Sequence, residues 1–286
     1  AVIIIIALLF VQAWCDLSLP SYTSDIIDVG IQNSGVEHIV PEKLTKSEFE
    51  TAQFIMTDDE TDVWKGLYEA DGEFYKLKDK SEKELDEADE KLTLPLIMNY
   101  QMSTLEVSSF KKTIASQMGK KESELENMSV EQLGETLGVK FKSFKQEKED
   151  NDGNKVKVDC VDARPFFAGM LESGKMDKKS ILSMRDKMSN TIDAMGSSLV
   201  KSMGVAYAVS CDKTAGIDID HVQKSYLLFA GLKMLGMALL MGVVTVLVGF
   251  FASRVGAGIG MTLREKVFKN VVGFSNAEMD KFSTAS

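Results

Sequence analysis

The residues closest to a catalytic motif in this 286-residue chain form an incomplete nucleotide-binding pattern. Gly169, Gly174 and Lys175 are spaced as in a phosphate-binding loop, but the next residue is Met176. A loop of that class needs Ser or Thr there, because its hydroxyl binds magnesium. The preceding stretch DARPFFA is also no buried strand. We therefore interpret this segment as a loop that matches the pattern by coincidence.

Other residue types that could do chemistry lack the right neighbours. The GAGIG run at 256–260 has no strand before it, as a dinucleotide site requires, so helix packing explains its glycines better. His38 and His221 are the only histidines, and neither has a Cys or a second His at zinc-ligand spacing. Neither lies in a nucleophile motif. The sequence predicts no catalytic, cofactor or metal site in this chain.

The three cysteines offer at most one disulfide. Cys15 lies in an apolar stretch and is interpreted as a small apolar residue. If Cys160 and Cys211 are close in the fold, a bond between them would stabilise it by about 4 kcal/mol in the chain-entropy model. Their positions do not establish proximity, and a reducing environment would keep both as thiols. The sequence leaves both states open.

The first of two apolar stretches covers residues 1–30 and opens with AVIIIIALLFVQAW. A secretory signal, a lipoprotein signal and a membrane-spanning helix are the competing interpretations. Trp14 precedes Cys15, which fits neither a signal-peptidase site nor a lipobox, so we favour the spanning helix. Because the chain begins at Ala1 rather than Met, we expect the start of this helix to be missing.

The second apolar stretch, at 226–251 within a predicted span of 225–252, contains one charged residue, Lys233. It would reach about 39 Å as a helix, more than the ~30 Å hydrocarbon core requires. Basic residues predominate after it, so the positive-inside rule places residues 253–286 in the cytoplasm. Asp16 and Lys233 are charges at membrane depth and thus candidates to line a substrate pathway, although Lys233 could instead extend to the headgroups.

Residues 31–224 would then lie outside a plasma membrane that the chain crosses twice. The segment is long enough to bury a core, and it carries the excess acid behind the net charge of −10 and the pI near 4.9. No nucleic acid partner is expected, because such binding needs a basic face. The lipid bilayer is the first predicted partner.

Helix signals predominate in this extracytoplasmic segment. Capping boxes at 45–48 and 129–132 predict helix starts, and Asp220 predicts another. Apolar residues at three- and four-residue steps predict one long amphipathic helix over 175–211. Strand-like residues flank NDGN at 151–154, which predicts a β-hairpin. The predicted fold is mainly α, with two transmembrane helices flanking a mostly helical domain that includes a small β-hairpin.

Both ends of the chain resemble one family. LLFVQAWCDLSLPSYTSDIIDVGIQ, with Leu19-Pro20 and the IIDVGI ending, looks like the opening helix of an exporter-type (type 1) ABC transporter permease. SRVGAGIGMTLREKVFKNVVGFSNAEMDKFSTAS resembles that family's second helix as it leaves the membrane, with LREKVF at 263–268. The order of the two matches, in opposite membrane orientations, strengthens the resemblance.

The resemblance implies half of a permease with six spans, paired with a second half-transporter as a heterodimer or homodimer. A nucleotide-binding domain, absent from this piece, would hold ATP and Mg²⁺, so the complete protein would be an ATPase although this fragment has no catalytic site. A coupling helix would occupy residues 275–286, and plain helix capping is the alternative there. The candidate residues for contact with the nucleotide-binding domain are Phe274, Asn276, Glu278, Asp280 and Phe282.

The long segment between the two spans departs from this family, which normally has a short outer loop there. Capping of the pathway, cargo selection and binding of another protein all remain open as its role. The competing hypothesis is a two-span receptor, a chemoreceptor or sensor kinase, whose outer domain senses a ligand. An exporter requires four further spans and a phosphate-binding loop after residue 286, whereas a receptor requires heptads or a kinase module.

Overall fold

The computed structural model describes residues 2–118, 122–141, 143–149, 155–174 and 176–273. It confirms a mainly α fold with two candidate membrane helices and small antiparallel sheets. The helices are α1 (Val2–Asp25), α2 (Lys46–Ala52), α3 (Asp58–Leu67), α4 (Glu82–Ser103), α5 (Val107–Met118), α6 (Glu122–Glu126), α7 (Val130–Leu137), α8 (Arg164–Glu172), α9 (Lys178–Asp193), α10 (Ser197–Thr214) and α11 (Ile219–Val272). The strands among the described residues are β1 (Lys43–Thr45), β2 (Tyr68–Asp71), β3 (Phe74–Leu77), β4 (Leu105–Glu106), β5 (Ser143–Glu149) and β6 (Lys155–Val161).

Two helices are long and apolar enough to cross a membrane. The first combines α1 with a π-helical continuation, Ile26–Gln32, and the second is α11, which runs unbroken for 54 residues. In each, only 6% of the most apolar window is buried, so the apolar side chains lack a protein core to pack against. Exposed apolar surface on this scale is typical of helices that contact lipid.

Contacts divide the chain into two compact units. Residues 28–226 form the one that we call the central unit, and the helical segments 2–27 and 227–273 form the other. Within the central unit, the segment after the first apolar helix packs on the start of α11. The side-chain amide of Gln223 donates to the carbonyl of Gly30 at 2.8 Å. Gly35 has a φ of +80°, and a Cβ there would lie 2.8 Å from the Cα of Gln223, so this position requires glycine.

The central unit has two main hydrophobic clusters. The first surrounds Trp64 and joins α2, α3, α4 and α10 to a sheet of order β1-β3-β2. The second surrounds Phe110 and joins α5, α7 and α8 to a sheet of order β4-β6-β5. Leu92 and Leu96 of α4 are fully buried in the first cluster. Because burial of such a side chain contributes about 2 kcal/mol, α4 is a major structural element of the unit.

Local sequence signals explain several element boundaries. Ser129 caps α7 as predicted, and its hydroxyl and the Gln132 side chain form a complete capping box. Thr45 caps α2 as predicted, accepting from the Glu48 amide at 3.2 Å. The predicted box also expects the Glu48 side chain to accept from the Thr45 amide, but the Glu48 carboxylate binds Arg164. The predicted strand pair is present as antiparallel β5 and β6, whereas the turn at 151–154 lies outside the described residues.

Other expectations about secondary structure were wrong. The single long helix over 175–211 is two helices, α9 and α10, with a break between Asp193 and Ser197. Gly196 there has extended backbone angles and precedes the first residue of α10. The cap of α11 is Asp218, which accepts from the His221 amide at 3.2 Å, while Asp220 lies inside the helix.

The phosphate-loop pattern also proves to be different from its predicted structure. Gly169 lies within α8, which ends at Glu172, so this part is helical rather than a loop. Lys175 lies outside the described residues.

Candidate functional site

A polar cavity of about 380 Å³ lies within the central unit. Its walls come from the start of α2, the end of α4, strand β5, the start of α8 and the last turns of α10. The lining residues with charged groups, amides, hydroxyls on rings or thiols are Glu48, Gln146, Asp162, Arg164, Tyr207 and Cys211. A concave site with a few converging polar groups is the usual form of a small-molecule site.

Arg164 organises one wall of this cavity. Its Nη1 donates to Oε1 of Glu48 at 2.6 Å and to the side-chain oxygen of Asn99 at 3.0 Å. Its Nε and Nη2 donate to the two carboxylate oxygens of Asp162 at 2.9 and 2.8 Å. Burial lowers the pKa of this guanidinium, but its hydrogen bonds to Asp162 and the charge of Glu48 outweigh that effect and raise the pKa overall. The wall therefore holds a permanent cation between two carboxylates.

Two buried polar groups on the cavity lining are poorly satisfied by the protein. The hydroxyl of Tyr207, a residue only 2% exposed, interacts with the thiol of Cys211, which is a weak hydrogen-bonding group. The side-chain oxygen of Gln146 has no partner among the described residues, while its amide donates to the Tyr100 hydroxyl at 2.8 Å. Buried polar atoms normally have partners, so the Gln146 oxygen can accept a hydrogen bond from water or a ligand.

Cys211, also on this lining, is unsuited to thiolate chemistry. Burial raises the pKa of its thiol well above the ordinary value. The thiol is therefore protonated near neutral pH, whereas a nucleophilic cysteine needs a lowered pKa. Burial likewise raises the pKa of the adjacent Tyr207. The cavity can bind and orient a polar molecule, and it presents no activated nucleophile.

A second cluster surrounds His38, just before β1. His38 Nδ1 lies 2.9 Å from Oδ2 of Asp89 on α4, and the amide of Ile39 donates to the other oxygen of Asp89 at 3.0 Å. His38 Nε2 lies 3.7 Å from Oε1 of Glu82, also on α4. The hydrogen bond with Asp89 raises the pKa of His38, while burial and Lys201 on α10 act in the opposite direction. Residues from two distant parts of the sequence thus meet here.

Asp212 is a buried carboxylate that lines a pocket together with His38. Its Oδ1 accepts from the amide of Lys43 at 2.9 Å. Burial raises the pKa of Asp212 to about 7, and the charge of Glu42 acts in the same direction, against the hydrogen bond from Lys43. This side chain changes its charge near neutral pH.

The residues predicted from the sequence lie elsewhere. Asp16 is exposed on α1, and Lys233 is exposed on α11 with Nζ 5.2 Å from the centroid of the Tyr22 ring, a cation–π contact. In the described part of the chain, neither takes part in a salt bridge. The five coupling candidates, Phe274, Asn276, Glu278, Asp280 and Phe282, lie outside the described residues.

The two cysteines considered for a disulfide are not bonded to each other. Cys160 lies on β6 opposite Phe144, and Cys211 lies on α10. Both side chains are buried.

Sequence reasoning missed the polar groups that the fold brings together. Glu48 and Arg164 are 116 positions apart, so no local pattern connects them. The His38 cluster had a signal, because Glu82, Asp86 and Asp89 recur on one face of a helix at four- and three-residue steps. Acid-rich runs of this kind usually form solvated helix faces or mobile connections, so the spacing alone does not single out a site.

Comparisons with known proteins match this chain to no family model, no curated protein and no solved structure.

Proposed function

We propose that this chain is part of the transmembrane domain of an ATP-driven exporter, with two helices in the bilayer. The supporting observation is α11, a single helix of 54 residues whose apolar part is exposed. The helix continues for about 21 residues, or about 30 Å, beyond the apolar stretch. That continuation includes the LREKVF segment, which resembles an exporter helix as it leaves the membrane. Such a helix extends from the membrane as a rigid rod, as α11 does.

In this proposal residues 31–224 lie outside the plasma membrane and residues 253–286 lie in the cytoplasm. A second half-transporter completes the pathway, and a nucleotide-binding domain holds ATP and Mg²⁺. The residues of this chain then act mechanically. Phe274, Asn276, Glu278, Asp280 and Phe282 transmit the motion of that domain, and Asp16 and Lys233 line the pathway.

The test does not require a known cargo. In the complete protein in proteoliposomes, a cysteine introduced by Asp16→Cys should react with a maleimide at a rate that changes when ATP and vanadate are added. The pair Glu278→Gln and Phe282→Ala should abolish that change while ATP hydrolysis persists. Glu69→Gln, which alters an exposed acid on β2, is the matched control and should keep the change. An ATP-independent rate in the parent protein would contradict the proposal.

A receptor is the second candidate, and the polar cavity favours it. The Gln146 side-chain oxygen, which has no partner among the described residues, is suited to a small polar ligand, which a sensor domain would detect. A receptor should show no response of the Asp16→Cys rate to ATP and vanadate. It should instead transmit ligand binding in the central unit through α11, as a change in labelling of a cysteine at Lys266. The same reagent therefore distinguishes the two functions.

A further inference from the structure

The cluster around His38 brings together side chains of the kinds that bind transition metals. One ligand-type atom from each of Glu37, His38 and Glu82 lie within 4.8 Å of one another. A tetrahedral zinc ion with bonds of about 2.1 Å places neighbouring ligand atoms about 3.4 Å apart. The distance of 3.7 Å between His38 Nε2 and the Glu82 carboxylate is close to this value. Small side-chain rotations would complete a three-ligand site.

Asp89 holds the imidazole in the orientation that such a site needs. Its Oδ2 is 2.9 Å from Nδ1 of His38, while its Oδ1 is fixed by the amide of Ile39. With the ring proton on Nδ1, Nε2, which lies 3.7 Å from the Glu82 carboxylate, keeps a lone pair that can bind a metal. Histidine ligands in metalloproteins commonly donate their second ring nitrogen to a carboxylate in this way, which fixes the tautomer and strengthens the ligand.

We propose that Glu37, His38 and Glu82 bind a divalent transition-metal ion of the Zn²⁺ class, with Asp89 as the supporting carboxylate. One imidazole and two carboxylates suit Zn²⁺ or its neighbours, and a fourth position stays open for water. Ca²⁺ takes six to eight oxygen ligands and Mg²⁺ an octahedral oxygen shell, so both bind more weakly here. The proposal is independent of whether the chain is an exporter or a receptor.

The ion would connect two segments of the central unit. Glu37 and His38 follow the first apolar helix, whereas Glu82 is the first residue of α4. Since the ion binds the folded arrangement of these segments and not the unfolded chain, it should raise the unfolding temperature of the protein.

Isothermal titration of the purified full chain with ZnCl₂ at pH 7.5, in detergent, tests the site. We expect one Zn²⁺ per chain for the unchanged protein, with no displacement by millimolar Ca²⁺ or Mg²⁺. His38→Gln should abolish this binding. His221→Gln removes the other histidine, which is exposed on α11, and should leave binding unchanged. Absence of saturable binding, or equal binding by the His38 and His221 variants, would overturn the proposal.

Two further measurements exclude a folding defect as the cause. Asp89→Asn should weaken Zn²⁺ binding about 10–100-fold without abolishing it, as for other supporting carboxylates. Glu82→Gln changes an exposed side chain, so the fold should survive while affinity falls. For both variants, Zn²⁺ should raise the unfolding temperature less than it does for the unchanged protein. An equal rise would show that the ion binds elsewhere.

Discussion

Arg164 and Glu48 are joined by a partly buried ion pair with an Nη1–Oε1 distance of 2.6 Å across 116 positions of sequence. The guanidinium is also bidentate to Asp162. Glu48 belongs to α2 and Arg164 begins α8, so the pair connects the first part of the central unit to the later one. It also forms one wall of the polar cavity.

Arg164→Met should destabilise the protein strongly. It leaves the carboxylates of Glu48 and Asp162 partly buried without a cation, which typically costs about 3–5 kcal/mol. The stability of Arg164→Lys should lie between those of the unchanged protein and Arg164→Met, because an ammonium keeps the charge but cannot reproduce the bidentate contact. Denaturant unfolding followed by tryptophan fluorescence measures both.

Lys178→Met is the matched control, since Lys178 forms an ion pair with the fully exposed Asp58. Exposed pairs contribute little, so this variant should unfold like the unchanged protein. Equal stability of the Arg164 and Lys178 variants would refute the structural role of Arg164.

Gly204→Ala should destabilise the contact between α10 and the segment before β1. A Cβ at this position would lie 2.6 Å from Cγ2 of Ile39, whose side chain is fully buried. Forcing a methyl group into a packed core costs about 1–3 kcal/mol. The midpoint of thermal unfolding should fall accordingly.

Gly66→Ala serves as the control for Gly204, because Gly66 lies in α3 with open space around it. Alanine there should be neutral or stabilising through helix propensity. Ile39→Ala combined with Gly204→Ala should lose less stability than the sum of the two single changes, since the clash is relieved. Additive losses would contradict the contact.

Asp212→Asn should stabilise the protein in a pH-dependent manner. Folding raises the pKa of Asp212 from an ordinary value near 4 to about 7, so the folded protein favours the neutral form of this side chain. The contribution of Asp212 to the free energy of unfolding is therefore fully present below pH 4 and is lost as the pH rises through 7. Asparagine keeps an oxygen for the Lys43 amide but stays neutral. The variant should therefore gain about 2–4 kcal/mol over the unchanged protein at pH 8 and little at pH 4.

Unfolding free energies of both proteins between pH 4 and pH 8 test this expectation. Asp71→Asn, which changes an exposed acid on β2, is the control and should alter the free energy of unfolding by no more than about 0.5 kcal/mol. A difference between Asp212→Asn and the unchanged protein that does not vary with pH would contradict the prediction.

The cysteines should all behave as thiols. Cys15, Cys160 and Cys211 are buried, so alkylation of the folded protein should be slow. Denaturation without reductant should then allow three modifications per chain, read by intact mass. Only one modification would indicate a disulfide between two of them.

Local signals in the sequence were reliable where the structure is local. Ser129 and Gln132 lie three residues apart and form the predicted capping box, and the apolar runs form the two exposed helices. The helix over 175–211 was wrong because apolar periodicity continues across Gly196, although the backbone there is extended. Apolar periodicity shows which face of a helix is apolar. It does not detect a break between two helices when the apolar spacing continues unchanged from one to the next.

The first sheet, β1-β3-β2, and the polar sites could not be predicted from the sequence, for a different reason. Strand β1 has three residues and β3 has four, too few for an alternating pattern to stand out. His38 meets Asp89 from 51 positions away, and Glu48 meets Arg164 from 116. Such pairs are determined by how the helices pack, so the residue types alone indicate a charge but not its partner.

Cysteine labelling in sealed cells tests the proposed topology most directly. Glu69→Cys places a thiol on exposed β2 of the central unit, and Lys266→Cys places one on exposed α11. The native cysteines are buried and give little background. A membrane-impermeant maleimide should label position 69 in intact cells and position 266 only after permeabilisation. Labelling of position 266 in intact cells, or protection of position 69, would contradict a central unit held outside the membrane by two spanning helices.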